Sequence, residues 1–185
     1  MTERLERRPP MTGRVAALAD AAIHLVATKG MRGLTHRAVD AQAGLPQGTT
    51  SAYFRTRKAL IEGLVRRLAE VEQAELELDP ADLAGSIAHV LEAWLTTGRE
   101  RTLARYACML EATHHTELRD ILVHGVAPRE RAEQLVQALG STDPKRDGAH
   151  LVAFLEGLLF YNLVGAGSTQ PLPDLKSAVE KALRL

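Results

Sequence analysis

Residues 43–54 read Ala43-Gly44-Leu45-Pro46-Gln47-Gly48-Thr49-Thr50-Ser51-Ala52-Tyr53-Phe54, and the fold of the chain turns on them. Gly44 permits a left-handed backbone, Leu45 offers an apolar plug to point inward, and Pro46 suits the first turn of a following helix. The stretch therefore reads as a tight turn between two short helices. The helix before it starts at Thr35, a good N-cap, and runs through Val39 to Gln42; the one after it reaches about Ala52 and is closed by Tyr53-Phe54. Two short helices about such a turn, braced by longer ones, make a helix-turn-helix.

The bracing helices lie on either side. Upstream, Val15, Leu18, Ala22 and Val26, widened by Ala19, Ile23 and Leu25, have helical spacing, and Lys29-Gly30 supplies a stop signal. Downstream, Thr56 caps a helix whose stripe is Leu60, Leu64, Leu68 and Val71. Asp79 as N-cap, Pro80 at the first helical position and Asp82 at the positive end announce a fifth helix with Leu83, Ile87, Val90 and Trp94 on one face, ended by Gly98. Leu103, Ala107 and Leu110 index a sixth. Leu118, Ile121, Leu122 and Val126 begin a seventh that Gly125 and Pro128 should kink or break, and the pattern resumes through Leu135, Val136 and Leu139.

Residues 148–164 are apolar on nearly every side, with Leu151, Val152, Phe154, Leu155, Leu158, Leu159, Phe160 and Leu163. A helix apolar all round is expected to be buried all round. In so small a chain, one side would meet the protomer's own core and the other a second protomer. This places the dimer interface at Leu151, Leu155, Leu158 and Leu159, with Leu175 and Val179 of a short last helix beside them. The reading is all-α: a three-helix helix-turn-helix domain at 1–56, its first twelve residues a flexible arm, and a helical dimerisation bundle at 57–185.

Composition supports this class. At 185 residues, with 45% hydrophobic and 25% charged, the chain can bury a core without staples, and 4% aromatics with abundant Ala and Leu favour helices over sheets. Cys108 is the single cysteine, which excludes an intrachain disulfide framework and fits a reducing, cytoplasmic compartment. The polar, arginine-bearing start lacks the apolar segment of a signal peptide, and the stretch 151–167, interrupted by Glu156 and Asn162, is too short and polar to span a membrane. The net charge of zero hides a segregation. From Met1 to Leu68 stand 12 Lys and Arg against 5 Asp and Glu; the remainder holds 11 against 18. A basic head is drawn to phosphates while the acidic body stays off them.

A helix entering the major groove needs small or polar residues at its leading end, and Gln47, Gly48, Thr49, Thr50 and Ser51 meet that need. Gln47 can pair with adenine through two hydrogen bonds, and Thr49 and Thr50 offer a hydroxyl and a methyl. Tyr53, Arg57 and Lys58 lie where the next helix begins and can converge on a phosphate. Arg4, Arg7 and Arg8 precede the first helix and can follow the minor groove as an arm.

The stretch from Gly30 to Leu64 resembles the DNA-binding module of TetR-family regulators, in Thr35, the Ala43-Gly44-Leu45 turn, Gly48, Phe54, Arg57 and Leu60 at the family's spacing. The resemblance implies that Arg37 and Gln47 read bases and that Arg57 stands for a phosphate-gripping lysine. Ser51 and Ala52 depart from the aromatic or histidine residues many members carry there, so operator sequence does not transfer. The resemblance also implies a C-terminal small-molecule pocket, for which Trp94, Tyr106, Met109, Thr113, Phe154, Phe160, Tyr161 and Asn162 are candidates, each equally suited to the core.

Cys108, Glu111, His114, His115 and His124 do not complete a metal set at these spacings, so no metal and no cofactor are expected. No phosphate loop, nucleophile elbow or paired acids suggest an enzyme. The expected partners are a double-stranded DNA operator, a small-molecule effector and a second copy of the chain, with no membrane. The alternative, a helical interaction protein of the same fold that does not read DNA, predicts no salt-sensitive duplex binding.

Overall fold

The computed structural model describes residues 11, 13–114, 119 and 127–184, for 127 and 128 the backbone alone. Among these residues the chain is all-helical, with no strand: α1 (Gly13–Gly33), α2 (His36–Gln42), α3 (Thr49–Tyr53), α4 (Arg57–Glu75), α5 (Leu83–Leu95), α6 (Arg99–Glu111), α7 (Ala127–Ala138), α8 (Pro144–Leu163) and α9 (Leu175–Leu183), with a single 3-10 turn at Ala166–Thr169. They form two compact units, Met1–Ala74 with Glu100–Gly125, and Glu75–Arg99 with Val126–Leu185.

The first unit is organised on α1, whose Leu18, Ala22, Leu25 and Val26 are buried together with Val39 of α2 and Leu60, Leu64 and Leu68 of α4. Gly30 interrupts α1 where the stop signal was expected, its backbone being non-helical. It takes a left-handed φ of 68° as a kink, and the helix resumes to Gly33, delivering Met31 and Leu34 into the same core. The face that α6 buries also differs from the expected Leu103, Ala107 and Leu110. Ala104, Cys108 and Ala112, spaced by four, join the core, whereas Leu110 is 60% exposed. Small side chains on this face let the helix lie close to its neighbours, while Tyr106 is buried on another side. The arm arginines Arg4, Arg7 and Arg8, and Leu118, Ile121, Leu122, Gly125 and Val126 of the expected seventh helix, lie outside the described residues.

In the second unit, α5 is capped one turn later than expected. The Asp82 carboxylate accepts from the Gly85 amide, while Asp79 accepts from the Ala81 amide and holds Pro80 in a turn before the helix. Helix α7 begins at Ala127, so Pro128 sits in its first turn, where the missing proline N–H goes unneeded; the segment before it, in which the expected kink or break would fall, lies outside the described residues. Helices α7 and α8 approach so closely at Gly148 that a Cβ there would lie 2.8 Å from the Glu133 amide nitrogen. Asp143 caps α8 through the Arg146 amide, with Pro144 in the first turn. Leu175, Val179 and Ala182, at helical spacing, turn α9 inward.

In the single chain α8 is covered on one side only. Leu151, Leu159 and Leu163 are buried, but Phe154, Phe160, Tyr161 and Val164 are among the chain's exposed large apolar residues.

Candidate nucleic-acid interface

The turn after α2 is closed by two backbone bonds, from the Leu45 amide to the Asp40 carbonyl and from the Gly44 amide to the Ala41 carbonyl. This pairing needs a left-handed residue past the helix end, and Gly44 takes it with a φ of 63°. Leu45 is half-buried against the core, as its apolar character requires. Pro46 does not open the next helix. Its carbonyl accepts from the amide and the hydroxyl of Thr49, the first residue of α3. The turn is therefore longer than the sequence suggests, and Gly48, at a φ of 94°, is the N-cap.

Both ends of α3 are held by side chains of α2. The Asp40 carboxylate, 3% exposed, accepts from the Gly48 amide at 2.7 Å, the Thr50 amide at 2.7 Å and the Thr50 hydroxyl at 2.5 Å. Burial pushes the Asp40 pKa up, but the hydrogen bonds from Thr50 and Gly48, with His36 nearby, outweigh it and hold the carboxyl below its ordinary 3.8. At the other end, His36 Nε2 donates to the Phe54 carbonyl at 2.6 Å, which fixes the proton on that nitrogen. Asp40 and His36 are four apart and share a face of α2. The anion meets the positive end of α3 and the imidazole N–H its negative end. Neither residue stands out in the sequence; the available signal is an Asp facing a Gly-Thr-Thr run across a turn, a capping relation over eight to ten residues instead of three.

Phe54 is buried against α4 at Gly63, where a Cβ would come within 2.8 Å of its ring Cζ. A glycine inside α4 therefore makes room for the ring that closes α3.

The expected DNA-contacting residues separate into two groups. Arg37, Gln47, Ser51, Tyr53 and Lys58 are exposed, and Thr49 is half-buried with its hydroxyl on Pro46. Thr50 is a correction: it is fully buried and its hydroxyl belongs to Asp40, so it offers nothing to a base or phosphate. Thr35 is exposed, but its hydroxyl caps α2 by accepting from the Ala38 amide. Gly48 contributes backbone conformation. Arg57 is exposed and is also engaged within the head. Its guanidinium donates to the carbonyls of Leu34 and Met31, the latter at 2.7 Å, clasping the end of α1 to the start of α4. Arg55, which the sequence reading passed over, is exposed beside it, and among the described residues Arg37, Arg55 and Lys58 form no ion pair.

The pocket candidates fall in both units. Trp94 is buried and its indole N–H donates to Glu75 at 2.9 Å; Asn162 is buried and donates to the Leu158 carbonyl. Tyr106 is buried, whereas Met109, Thr113, Phe154, Phe160 and Tyr161 are exposed. Of the residues assigned to the dimer interface, Leu151, Leu159, Leu175 and Val179 are already buried in the single chain, which leaves them little surface for a second one; Leu155 and Leu158 are half-buried. The amphipathic rule explains the error: on an apolar helix, spacing alone cannot say which side the parent core claims.

Among the described residues no three His, Cys, Asp or Glu side chains are grouped to hold a metal, and His115 and His124 lie outside them. Burial, with the Glu111 charge adding to it, pushes the Cys108 thiol up to about 12, so it stays protonated beside Met31 as a core residue. No helix among the described residues is long and apolar enough to cross a membrane.

Comparison with known proteins gives this geometry its context. The family of the tetracyclin repressor-like, C-terminal domain matches residues 78–185. A transcriptional regulator from a Rhodococcus species has the same fold at a TM-score of 0.79, with 20% identity over 93% of this chain and 95% of that one. The multidrug binding protein EbrR, solved with imidazole, is 31% identical over 94% of this chain and 95% of its own, at a TM-score of 0.69. A member of the TetR family from Streptomyces coelicolor is 30% identical over 94% of this chain and 98% of its own, at 0.74. Among curated proteins no sequence matches. With more than half its length matched by the family and 30% identity sustained along almost the whole of a solved member, this all-helical chain belongs to the TetR family of transcriptional regulators, a family that does not include enzymes.

Proposed function

We propose that this regulator is a ligand-responsive repressor that binds a near-palindromic operator as a homodimer in the cytoplasm. The observation that carries the reading is the exposure of the helix-turn-helix residues Gln47 and Ser51 together with the cations Arg37, Arg55 and Lys58 that flank them in sequence. Residues 1–56 act as the DNA-reading head and residues 57–185 carry effector binding and dimerisation. Gln47, with Arg37, reads base edges; Tyr53, Arg55 and Lys58 hold phosphates and position the head without specifying sequence. Two heads require two half-sites about one helical turn apart.

The dimer face follows from α8. Phe154, Gly157, Tyr161 and Val164 recur at helical spacing on its exposed side, and nothing lies within 4 Å of where a Gly157 Cβ would be. A second copy packed there would cover an apolar stripe that water otherwise wets. The effector is a small molecule. Structures of EbrR hold ethidium, proflavin and malachite green, so aromatic cations form the first class to screen. An effector acts through differential affinity: it weakens DNA binding by the factor by which DNA weakens its own binding, typically about 1–3 kcal/mol of coupling.

Selection of bound sequences from a random duplex pool at two salt concentrations tests this. Enrichment of a palindrome, with retention falling steeply as salt rises, is the expected result; no enrichment and no salt dependence would leave a TetR-family fold that does not read DNA. For the dimer face, Phe154→Glu is expected to convert dimers to monomers in light scattering while the helical signal persists.

A further inference from the structure

The single side chain that α3 buries is Thr50. Thr49 is half-buried, and Ser51, Ala52 and Tyr53 are exposed, so the helix has no apolar anchor of its own. Five residues cannot hold a helical conformation unaided. Apolar contact, where a helix has it, is non-directional and tolerates rotation by several degrees, whereas hydrogen bonds fall off steeply with angle. In this head the directional contacts are concentrated on two residues of one α2 face. Asp40 takes three donors at the N-terminal end of α3, and His36 takes the carbonyl just past its C-terminal end.

We propose that Asp40 and His36 are positioning residues for sequence reading: together they fix the rotation and height of α3, and so decide where Gln47, Thr49 and Ser51 meet the bases. The inference rests on the DNA-reading function proposed above. Neither residue is exposed: Asp40 is buried and His36 is half-buried. Asp40 is buried beneath the helix, and by occupying the amides of Gly48 and Thr50 it removes the helix N-terminus as a phosphate site, leaving discrimination to side chains. Clamped at both ends, α3 enters the groove in one pose. Released at one end, it samples several, which blurs discrimination between bases more than it weakens phosphate contacts made by Arg55 and Lys58 from outside the helix.

The test compares Asp40→Ala, Asp40→Asn, Thr50→Val and His36→Ala with Val39→Ala, a neighbouring core change that destabilises the head without touching the clamp. Amide exchange at Ala52 and Phe54, whose amides donate to the carbonyls of Gly48 and Thr50, is measured in the free protein. The ratio of affinities for the selected operator and a scrambled duplex is measured well below each variant's melting temperature. Asp40→Ala should speed exchange at Ala52 and Phe54 at least tenfold with exchange at Leu60 unchanged, and lower the affinity ratio at least tenfold. Asp40→Asn, which keeps one carbonyl acceptor, and Thr50→Val, which keeps both amide donors, should fall between it and wild type. His36→Ala should act chiefly at Phe54. Val39→Ala should keep the ratio despite its lower melting temperature. An Asp40→Ala ratio equal to that of Val39→Ala overturns the proposal, and should Asp40→Ala fail to fold, an unchanged ratio in Thr50→Val and His36→Ala does so. If wild type selects no duplex, the DNA-reading function falls, and the exchange data alone decide the clamp: uniform loss of protection across α1, α3 and α4 rejects it.

Discussion

Five residues long, α3 buries one side chain, the hydroxyl-bearing Thr50, whereas the twenty residues of α8 bury Gly148, Leu151, Leu159, Asn162 and Leu163. The first is held by hydrogen bonds that it donates to a buried carboxylate and by one that an imidazole donates to the carbonyl at its end. The second is held by close apolar packing against α7 and α9. An element fixed by direction responds to changes of charge and hydrogen bonding; one fixed by fit responds to changes of volume. The two helices should therefore fail under different substitutions.

The largest effect belongs to the packed helix. Leu159 is 2% exposed, and Leu159→Ala should cost about 2–5 kcal/mol in denaturant unfolding, lost transfer energy plus a cavity. Its half-buried neighbour Leu158 should cost clearly less when shortened in the same way. Equal losses would mean that Leu158 is covered by something outside its own unit. Next in size is Gly148→Ala. Ordinarily this change favours a helix by about 1 kcal/mol, but here the new Cβ would meet backbone atoms of Glu133, which cannot rotate away. The overpacking should win, giving a net loss of about 1–3 kcal/mol in thermal unfolding. A stabilised variant would show that α7 and α8 slide apart freely.

The same contrast explains what could be seen in the sequence. The head is built of local rules, each with its own residue signature, so Thr35 as a cap, Gly44 past a helix end and the stripe Leu60-Leu64-Leu68 were legible. What was not legible there is non-local. Asp40 reaches eight to ten residues along the chain, and Arg57 returns to carbonyls 23 and 26 residues earlier, so neither pairing leaves a spacing signature. In the bundle helices, apolar periodicity announced α8 but not which face is covered, because nearly every face qualifies. On α6 the rule that larger apolar residues point inward chose the wrong side, since Ala104 and Cys108 allow a closer approach than Leu110 would. The cap of α5 fell on Asp82 instead of Asp79, two aspartates near one proline that propensity alone does not separate.

Smaller in energy, and confined to the head, is Arg57→Ala. It removes charge-assisted bonds to the Leu34 and Met31 carbonyls, and because the side chain is largely exposed, water takes their place. A loss of about 1 kcal/mol is expected in unfolding of the head. The informative comparison is with Arg55→Ala, which should leave stability unchanged and weaken binding to every duplex alike. If Arg57→Ala weakens binding as Arg55→Ala does, and with no loss of stability, then Arg57 leaves its clasp when DNA arrives.

The smallest effect is a pH dependence that only the head should show. Asp40 has its folded pKa held below the ordinary 3.8, so the charged form is favoured by folding. Its contribution is complete above 3.8, where the carboxyl is ionised in both folded and unfolded chains, and is lost as pH falls through the folded value. General acid unfolding would obscure this in wild type alone, because every carboxylate contributes. The difference in melting temperature between wild type and Asp40→Asn cancels those common contributions. That difference should be constant from neutral pH down to about 4 and shrink below it, as the protonated carboxyl can no longer accept all three donors. Asp82 provides the control from the other unit. Its pKa is also lowered, by Lys176 and the Gly85 amide, but the pair is exposed, and water screens it. Lys176→Met should therefore leave the melting temperature where it was at every pH, because an exposed ion pair has solvent as its substitute and the buried Asp40 does not.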